Sequence, residues 1–253
     1  MAGRQGSFES TAELTAAVTA VGPWFHQIDL PHGVRTRDVA ATSGPQPKNH
    51  PIWRWELLAP HLPEDMSGMR VLDIGCADGF FSIEMARRGA SVLAMDLNAG
   101  RVQRVEFASE VLGLDHLIEP RRGSIDDVDD SLGDFDLVLF LALLYHLHDP
   151  YGGLKRLVPR APEIYLSSAV VFDPRPYFIF EPVVESHQAN PKLFPTTGCV
   201  EVMLETAGCR DHHLLDLTGP SGQTIDPATW TAVENDDLSK ARRVRAMWHA
   251  MRD

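Results

Sequence analysis

The sequence predicts an α/β fold, with a parallel, doubly wound sheet of seven strands. Three observations carry this. From Arg70 onward, short apolar runs alternate with amphipathic stretches, as strands alternate with helices in such folds. Glycines stop the amphipathic stretches at Gly89, Gly113 and Gly208, where a left-handed helix end favours glycine. The run FDLVLFLALL is apolar throughout, the pattern of a strand buried on both faces.

Taken in order, residues 8–20 (FESTAELTAAVTA) read as a short helix. Residues 24–36 (WFHQIDLPHGVRT) mix aromatics and histidines with turn signals, and residues 41–51 (ATSGPQPKNHP) read as a loop. WRWELLAPHL restarts a helical pattern. RVLDI is the first strand and GFFSIEMARRG the first helix of the alternation. SVLAMD, then AGRVQRVEFASEVLG, give the second strand and helix. HLIEPRRGSIDD holds a third strand and FDLVLFLALL is the fourth. DPYGGLKRLVPR is helical, with Asp149 as N-cap and Pro150 at the first position. EIYLSSAVV is the fifth strand, PTTGCVEVMLETAG a helix and HHLLDLTG the sixth strand. ARRVRAMWHAM is either a terminal helix or a seventh strand, and the strand is preferred. Residues 1–68 then form an N-terminal cap, and residues 171–195 an insertion near the carboxyl ends of the strands, where such sheets bind ligands.

The first strand runs into a glycine loop, VLDIGCADGF. A dinucleotide loop starting at Gly75 needs glycines at positions 77 and 80, which are Ala77 and Phe80. What remains is D-x-G-x-x-x-G, formed by Asp73, Gly75 and Gly79. Asp73 at a strand end repels phosphate and attracts an ammonium or sulfonium. Asp96 ends the second strand, where a carboxylate accepts the hydroxyls of a ribose. The ligand therefore carries a ribose and a positive charge, without a diphosphate.

S-adenosylmethionine (SAM) meets that description. The stretch resembles the first motif of the class I SAM-dependent methyltransferases, Rossmann-like proteins, over roughly residues 70–210. WRWELLAPHL, LYHLHDPYGGLKRL and LFPTTGCVEVMLETAG narrow the resemblance to the tRNA wobble-uridine carboxymethyltransferase family and its small-molecule methyltransferase relatives. The carboxymethylating enzyme has lysine where this chain has Arg54, and tryptophan where it has Asn49. Arg54 remains suited to gripping a carboxylate. Plain SAM is therefore preferred over carboxy-SAM as cofactor. The cofactor-binding set the resemblance implies is Asp73, Gly75, Cys76, Gly79, Asp96, Leu97, Ser124, Ile125, Asp126, Leu141 and Arg54. It also places Tyr145 near the cofactor's reactive end.

His146, at the end of the fourth strand, is the candidate general base. His26 is a further catalytic candidate, from a cap segment that also offers Trp24, Asp29 and His32. Each of these has an equally ordinary structural reading as a satisfied polar or aromatic group. His148 reads as a surface residue, while Glu181 and His187 are candidates to line the acceptor pocket. No H-x-E or H-E-x-x-H spacing appears, so no metal site is expected, and DDVDD at 126–130 reads as a solvated edge.

Net charge is −12, from 35 acids against 23 bases, which disfavours broad binding to nucleic acid or anionic membrane. No run reaches the ~18 apolar residues of a membrane span and no signal peptide is seen, so a cytoplasmic location is expected. The three cysteines lack CxxC spacing, which suits a reducing compartment. The expected function is methylation of a small-molecule acceptor, at oxygen, in a bacterial biosynthetic pathway. A tRNA-modifying enzyme would need a basic track, for which Arg121, Arg122, Arg242, Arg243 and Arg245 are candidates. A non-catalytic SAM-binding module is the third reading, although the retained Asp73, Gly75, Gly79 and Asp96 count against it. Oligomeric state is open, with a homodimer among the options.

Overall fold

A computed structural model describes residues 8–43, 51–181, 184–185, 188–189, 192–219, 224–226 and 243–253. Most of the loop expected at 41–51 lies outside these, as do His187, Arg242 and Asn49. The chain forms two compact units, residues 1–127 and 128–253.

In the first unit, helix α1 (Thr11–Val21) starts at Ser10, whose side chain accepts the Glu13 N–H. The helix begins three residues later than the sequence pattern suggests, because the hydroxyl of Ser10 makes it the better N-cap. Two short helices follow, α2 (Thr36–Val39) and α3 (Ile52–Leu58). The alternation then starts: β1 (Arg70–Ile74), α4 (Phe80–Arg87), β2 (Ser91–Asp96), α5 (Ala99–Leu112) and β3 (Ile118–Arg122). Asn98 caps α5, accepting from Gly100 and Arg101, and Gly113 ends it in the left-handed region at φ +69°. β1 pairs in parallel with β2, and β2 with β3.

In the second unit, β4 (Leu137–Leu141) is buried along its whole length. Helix α6 (Pro150–Leu157) is capped by Asp149, whose side chain accepts the Gly152 N–H, with Pro150 at the first turn. Strand β5 (Glu163–Val171) pairs in parallel with β4. The inserted stretch folds as two antiparallel pairs, β6 (Phe178–Glu181) with β9 (Lys192–Pro195), and β7 (Val184–Glu185) with β8 (Gln188–Ala189). Helix α7 (Thr197–Ala207) is capped by Thr196, and β10 (Asp211–Thr218) follows. The terminal element is strand β11 (Arg243–Met251), antiparallel to both β5 and β10.

Seven strands form one sheet in the order β10-β11-β5-β4-β1-β2-β3. β3 lies at an edge and carries Pro120, which has no N–H to donate and so suits an edge strand.

Candidate active site

The glycine loop lies between β1 and α4. Gly75 and Gly79 take positive φ, +76° and +81°, and Ala77 joins them at +50°. A Cβ on Gly79 would stand 2.9 Å from Val105 Cγ2 on α5, so this loop position is closed to any side chain. The Ala77 N–H donates to Asp96 Oδ2 at 3.0 Å, which ties the loop to the end of β2.

Asp73 is buried and accepts the Ser82 hydroxyl at 2.6 Å. Burial pushes its carboxyl up to about 7, the Ser82 hydrogen bond pulls against this, and the charge of Asp96 adds to the rise. Cys76 is buried in the loop, and burial beside Asp73 raises its thiol pKa well above the ordinary range, so it is no ready nucleophile. The Asp96 carboxylate is also buried, and its oxygens accept from the Asn98 N–H at 2.9 Å and from Arg101 Nη1 at 3.3 Å. Leu97, the next residue, is 66% exposed. An exposed apolar side chain beside a buried carboxylate offers one face for a flat ring and one acceptor for hydroxyls. That pair of surfaces is complementary to an adenosine, which presents a flat base and ribose hydroxyls.

After β3, Ser124 is held by Asp127, whose Oδ2 accepts both its N–H at 2.7 Å and its hydroxyl at 3.1 Å. The Asp126 N–H in turn donates to the Ser124 hydroxyl, and Ile125 is buried beneath this turn. Asp127 is thus the organiser of the segment. The sequence reading missed it, because a run of like acids shows no role for any one of them.

The cap residues divide. Trp24 is wholly buried and donates from Nε1 to the Val18 carbonyl at 2.9 Å, a core residue. Asp29 is exposed and ion-pairs with Arg35, while His32 is exposed with Nε2 on the Phe8 carbonyl. His26 differs: it is buried, and its Nδ1 accepts the Phe80 N–H at 3.4 Å at the start of α4. Burial, then the charges of Arg54, Arg101, Arg37 and Arg104, hold its pKa well below the ordinary value, so the ring is neutral at pH 7. Arg54 is buried on α3, with its guanidinium carbon 5.0 Å from the Trp53 ring centre.

In the second unit, Leu141 ends β4 and Tyr145 and His146 sit in the turn that follows, their ring centres 4.2 Å apart. Tyr145 is buried and stacks on Phe194 of β9, with centres 5.6 Å apart and planes 13° apart. Ala169, Ala142 and Ile179 pack against this stack. The inserted ribbon therefore supplies a wall for Tyr145 through Phe194, a residue the sequence reading did not single out. Glu181 ion-pairs with Arg243 without hydrogen bonding at Oε2, and the Arg243 guanidinium lies 4.4 Å from the Phe194 ring centre. His148 is exposed. Among the described residues no group of three or more His, Cys, Asp or Glu is placed to hold a metal ion, and no helix is long and apolar enough to cross a membrane.

Residues 53–160 match a family model described as a methyltransferase domain. That stretch, under half of the chain, is similar to methyltransferase domains, and the seven-stranded sheet is the Rossmann-like fold of such proteins. The methyltransferase fold extends over nearly the whole chain. The N-terminal domain of EvdMO1, solved in the presence of S-adenosylhomocysteine (SAH) and D-fucose, superposes with a TM-score of 0.70, covering 97% of this chain and 98% of that one at 22% identity. Among curated relatives, the tRNA U34 carboxymethyltransferase of Pseudomonas aeruginosa (strain LESB58) is 25% identical over 217 residues, 79% of this chain and 64% of the relative. That of Geobacter sp. (strain M21) is 28% identical over 188 residues, 72% of this chain and 57% of the relative. The chain thus spans less than two thirds of these relatives' length. The N-terminal domain of EvdMO1 was also solved with SAH bound, at 20% identity and a TM-score of 0.69. At the loop Asp73 and Asp96 are two buried carboxylates, and Leu97 leaves an exposed apolar side chain beside them.

Proposed function

We propose that the protein transfers a methyl group from SAM to a small-molecule acceptor, at oxygen, in a bacterial biosynthetic pathway. The observation that carries the cofactor half is the buried Asp96 carboxylate, tied to the glycine loop through Ala77 and flanked by exposed Leu97. Asp96 takes the ribose hydroxyls, Leu97 and Ile125 flank the adenine, and Ser124 or Asp126 receives its amine. Gly75, Cys76 and Gly79 follow the methionine end, with Asp73 toward its positive charge and Arg54 toward its carboxylate. Leu141 closes the set.

Bound SAM supplies a methyl group already activated on a sulfonium, so the chain's own task is positioning and exclusion of water. Tyr145, held flat by Phe194, has a fixed ring plane with which to orient the reacting end. His146 beside it takes the proton from an acceptor hydroxyl, whose pKa far above 7 calls for a base. Residues 1–68 act as the cap, His26 contributing from it, and Glu181 lines the acceptor side. A cytoplasmic setting belongs to this reading.

A small acceptor is supported by the net charge of −12 and by the way the arginine clusters are used. Arg121 ion-pairs with Glu119, and Arg243 with Glu181. The likeness to tRNA U34 carboxymethyltransferases favours a second reading, modification of tRNA with carboxy-SAM, in which Arg54 meets the extra carboxylate.

Calorimetric titration with SAM, SAH and carboxy-SAM separates the two. Tight binding of SAM and SAH, with carboxy-SAM weaker, is expected; preference for carboxy-SAM would hand the case to the second reading. For the base, His146→Ala is expected to lower kcat at least tenfold with cofactor affinity unchanged. A parallel loss of both would make His146 a structural residue.

A further inference from the structure

Asp78 has no part in the cofactor reading, yet it is the most fully engaged carboxylate of the loop. It is 0% exposed. Its Oδ1 accepts Arg104 Nε at 2.8 Å, an ion pair in which the arginine of α5 is buried as well. Its Oδ2 accepts the backbone N–H of His26 at 3.0 Å and, at shorter range, that of Phe25. These two amides lie more than fifty residues upstream, in the cap. The same dipeptide makes a second crossing, because the His26 ring accepts the Phe80 N–H on the far side of Gly79. The strap thus touches the loop both before and after its last glycine.

The strap is anchored from behind. The Trp24 backbone pairs with Ala41 and Ser43, at 2.8 and 2.9 Å, and its indole with Val18. Ahead of it, the Arg101 guanidinium lies 5.6 Å from the Phe25 ring centre while pairing with Asp96, the ribose acid. A charge taken out of water is stable only when its acceptor sites are filled, and here two of the fillers are strap amides. Without the strap, Asp78 would sit in the loop as a buried charge short of donors.

We infer that Asp78 is a positioning residue, a latch that fastens the Phe25–His26 strap across the cofactor loop and makes it a wall of the SAM site. The cap then belongs to the cofactor's side of the enzyme, and the loop is complete only when the strap lies on it. This rests on the assignment of the glycine loop to SAM.

The test is Asp78→Asn in the full chain, alone and on a Phe25→Pro/His26→Pro background that removes both strap N–H donors, with SAM and SAH affinity read by calorimetry and folding by circular dichroism. Asp78→Asn is expected to raise the Kd for both ligands at least tenfold, to raise KM for SAM, and to leave kcat at saturating SAM within about twofold. On that background it should add less than threefold, because the two amides it holds are already gone. A folded Asp78→Asn protein that binds SAM within twofold of wild type overturns the latch, as does an undiminished effect on the double background. Failure of wild type to bind SAM would instead remove the cofactor assignment. Should the variant not fold, hydrogen exchange of the wild type decides. SAM is expected to slow exchange of the Phe25 and His26 amides at least tenfold, and unchanged rates overturn the proposal.

Discussion

The buried carboxyl of Asp73 sets the pH behaviour of the loop. Asp73 titrates at about 7 in the folded chain against about 4 unfolded, because burial disfavours its charge. A raised carboxyl contributes stability that is whole below about pH 4 and lost as pH climbs to 7. Its charged form is the one that attracts the cationic cofactor. SAM affinity is therefore expected to rise about tenfold between pH 6 and pH 8, following the ionised fraction. Asp73→Asn should flatten that profile, weaken SAM and raise the melting temperature at pH 8. Calorimetry and thermal melts read all three, and a wild-type Kd that ignores pH would refute the coupling. Asp96→Ala should weaken SAM by about 1–3 kcal/mol; a folded variant with unchanged affinity would free the ribose from this residue.

Among the elements, the helix–loop contact at Gly79 makes the sharpest prediction. Left-handed φ costs a side chain about 1–2 kcal/mol, and the approach of Val105 adds overpacking of about 1–3 kcal/mol. Gly79→Ala is expected to cost about 2–5 kcal/mol in urea unfolding, and Val105→Ala added to it should return only the packing part. Full recovery would show that φ carries no penalty here. Elements were also where the sequence was most legible. β1, β2, β4 and β5 follow from apolar runs of strand length, and their helices from glycine stops and from the cap Asp149, while the Thr196 cap of α7 came only with the structure. The terminal strand was harder, since Arg243–Met251 carries apolar residues that suit either period, and only pairing on both sides makes it a strand. Phe194 and Asp78 could not be read from the sequence at all. Their roles come from partners far away in the chain: Tyr145 for the one, Phe25 and His26 for the other.

On the scale of the whole molecule, the acidic balance makes its own prediction. Affinity for tRNA is expected to be weak at physiological salt, with a shallow salt dependence, since few phosphates can be neutralised against a net charge of −12. A filter-binding series at rising salt measures this, and a steep slope would revive the tRNA reading. What the sequence conveyed best at this scale was the cofactor, because Asp73, Gly75, Gly79 and Asp96 sit close together in one β-α-β unit. The inserted ribbon was less legible, because its residues follow no period of their own.

Just past that ribbon, the first turn of α7 has one immovable point. A Cβ on Gly198 would fall 2.0 Å from the Pro174 carbonyl oxygen, backbone against backbone, at the place where Asp173 also accepts the Gly198 N–H through its carbonyl. For an engineer diversifying this protein toward new acceptors, position 198 is a blank column: a saturation library will return glycine and nothing else. Variation has to be spent upstream, at exposed positions of β6 such as Phe178 and Phe180, which can change without disturbing this contact.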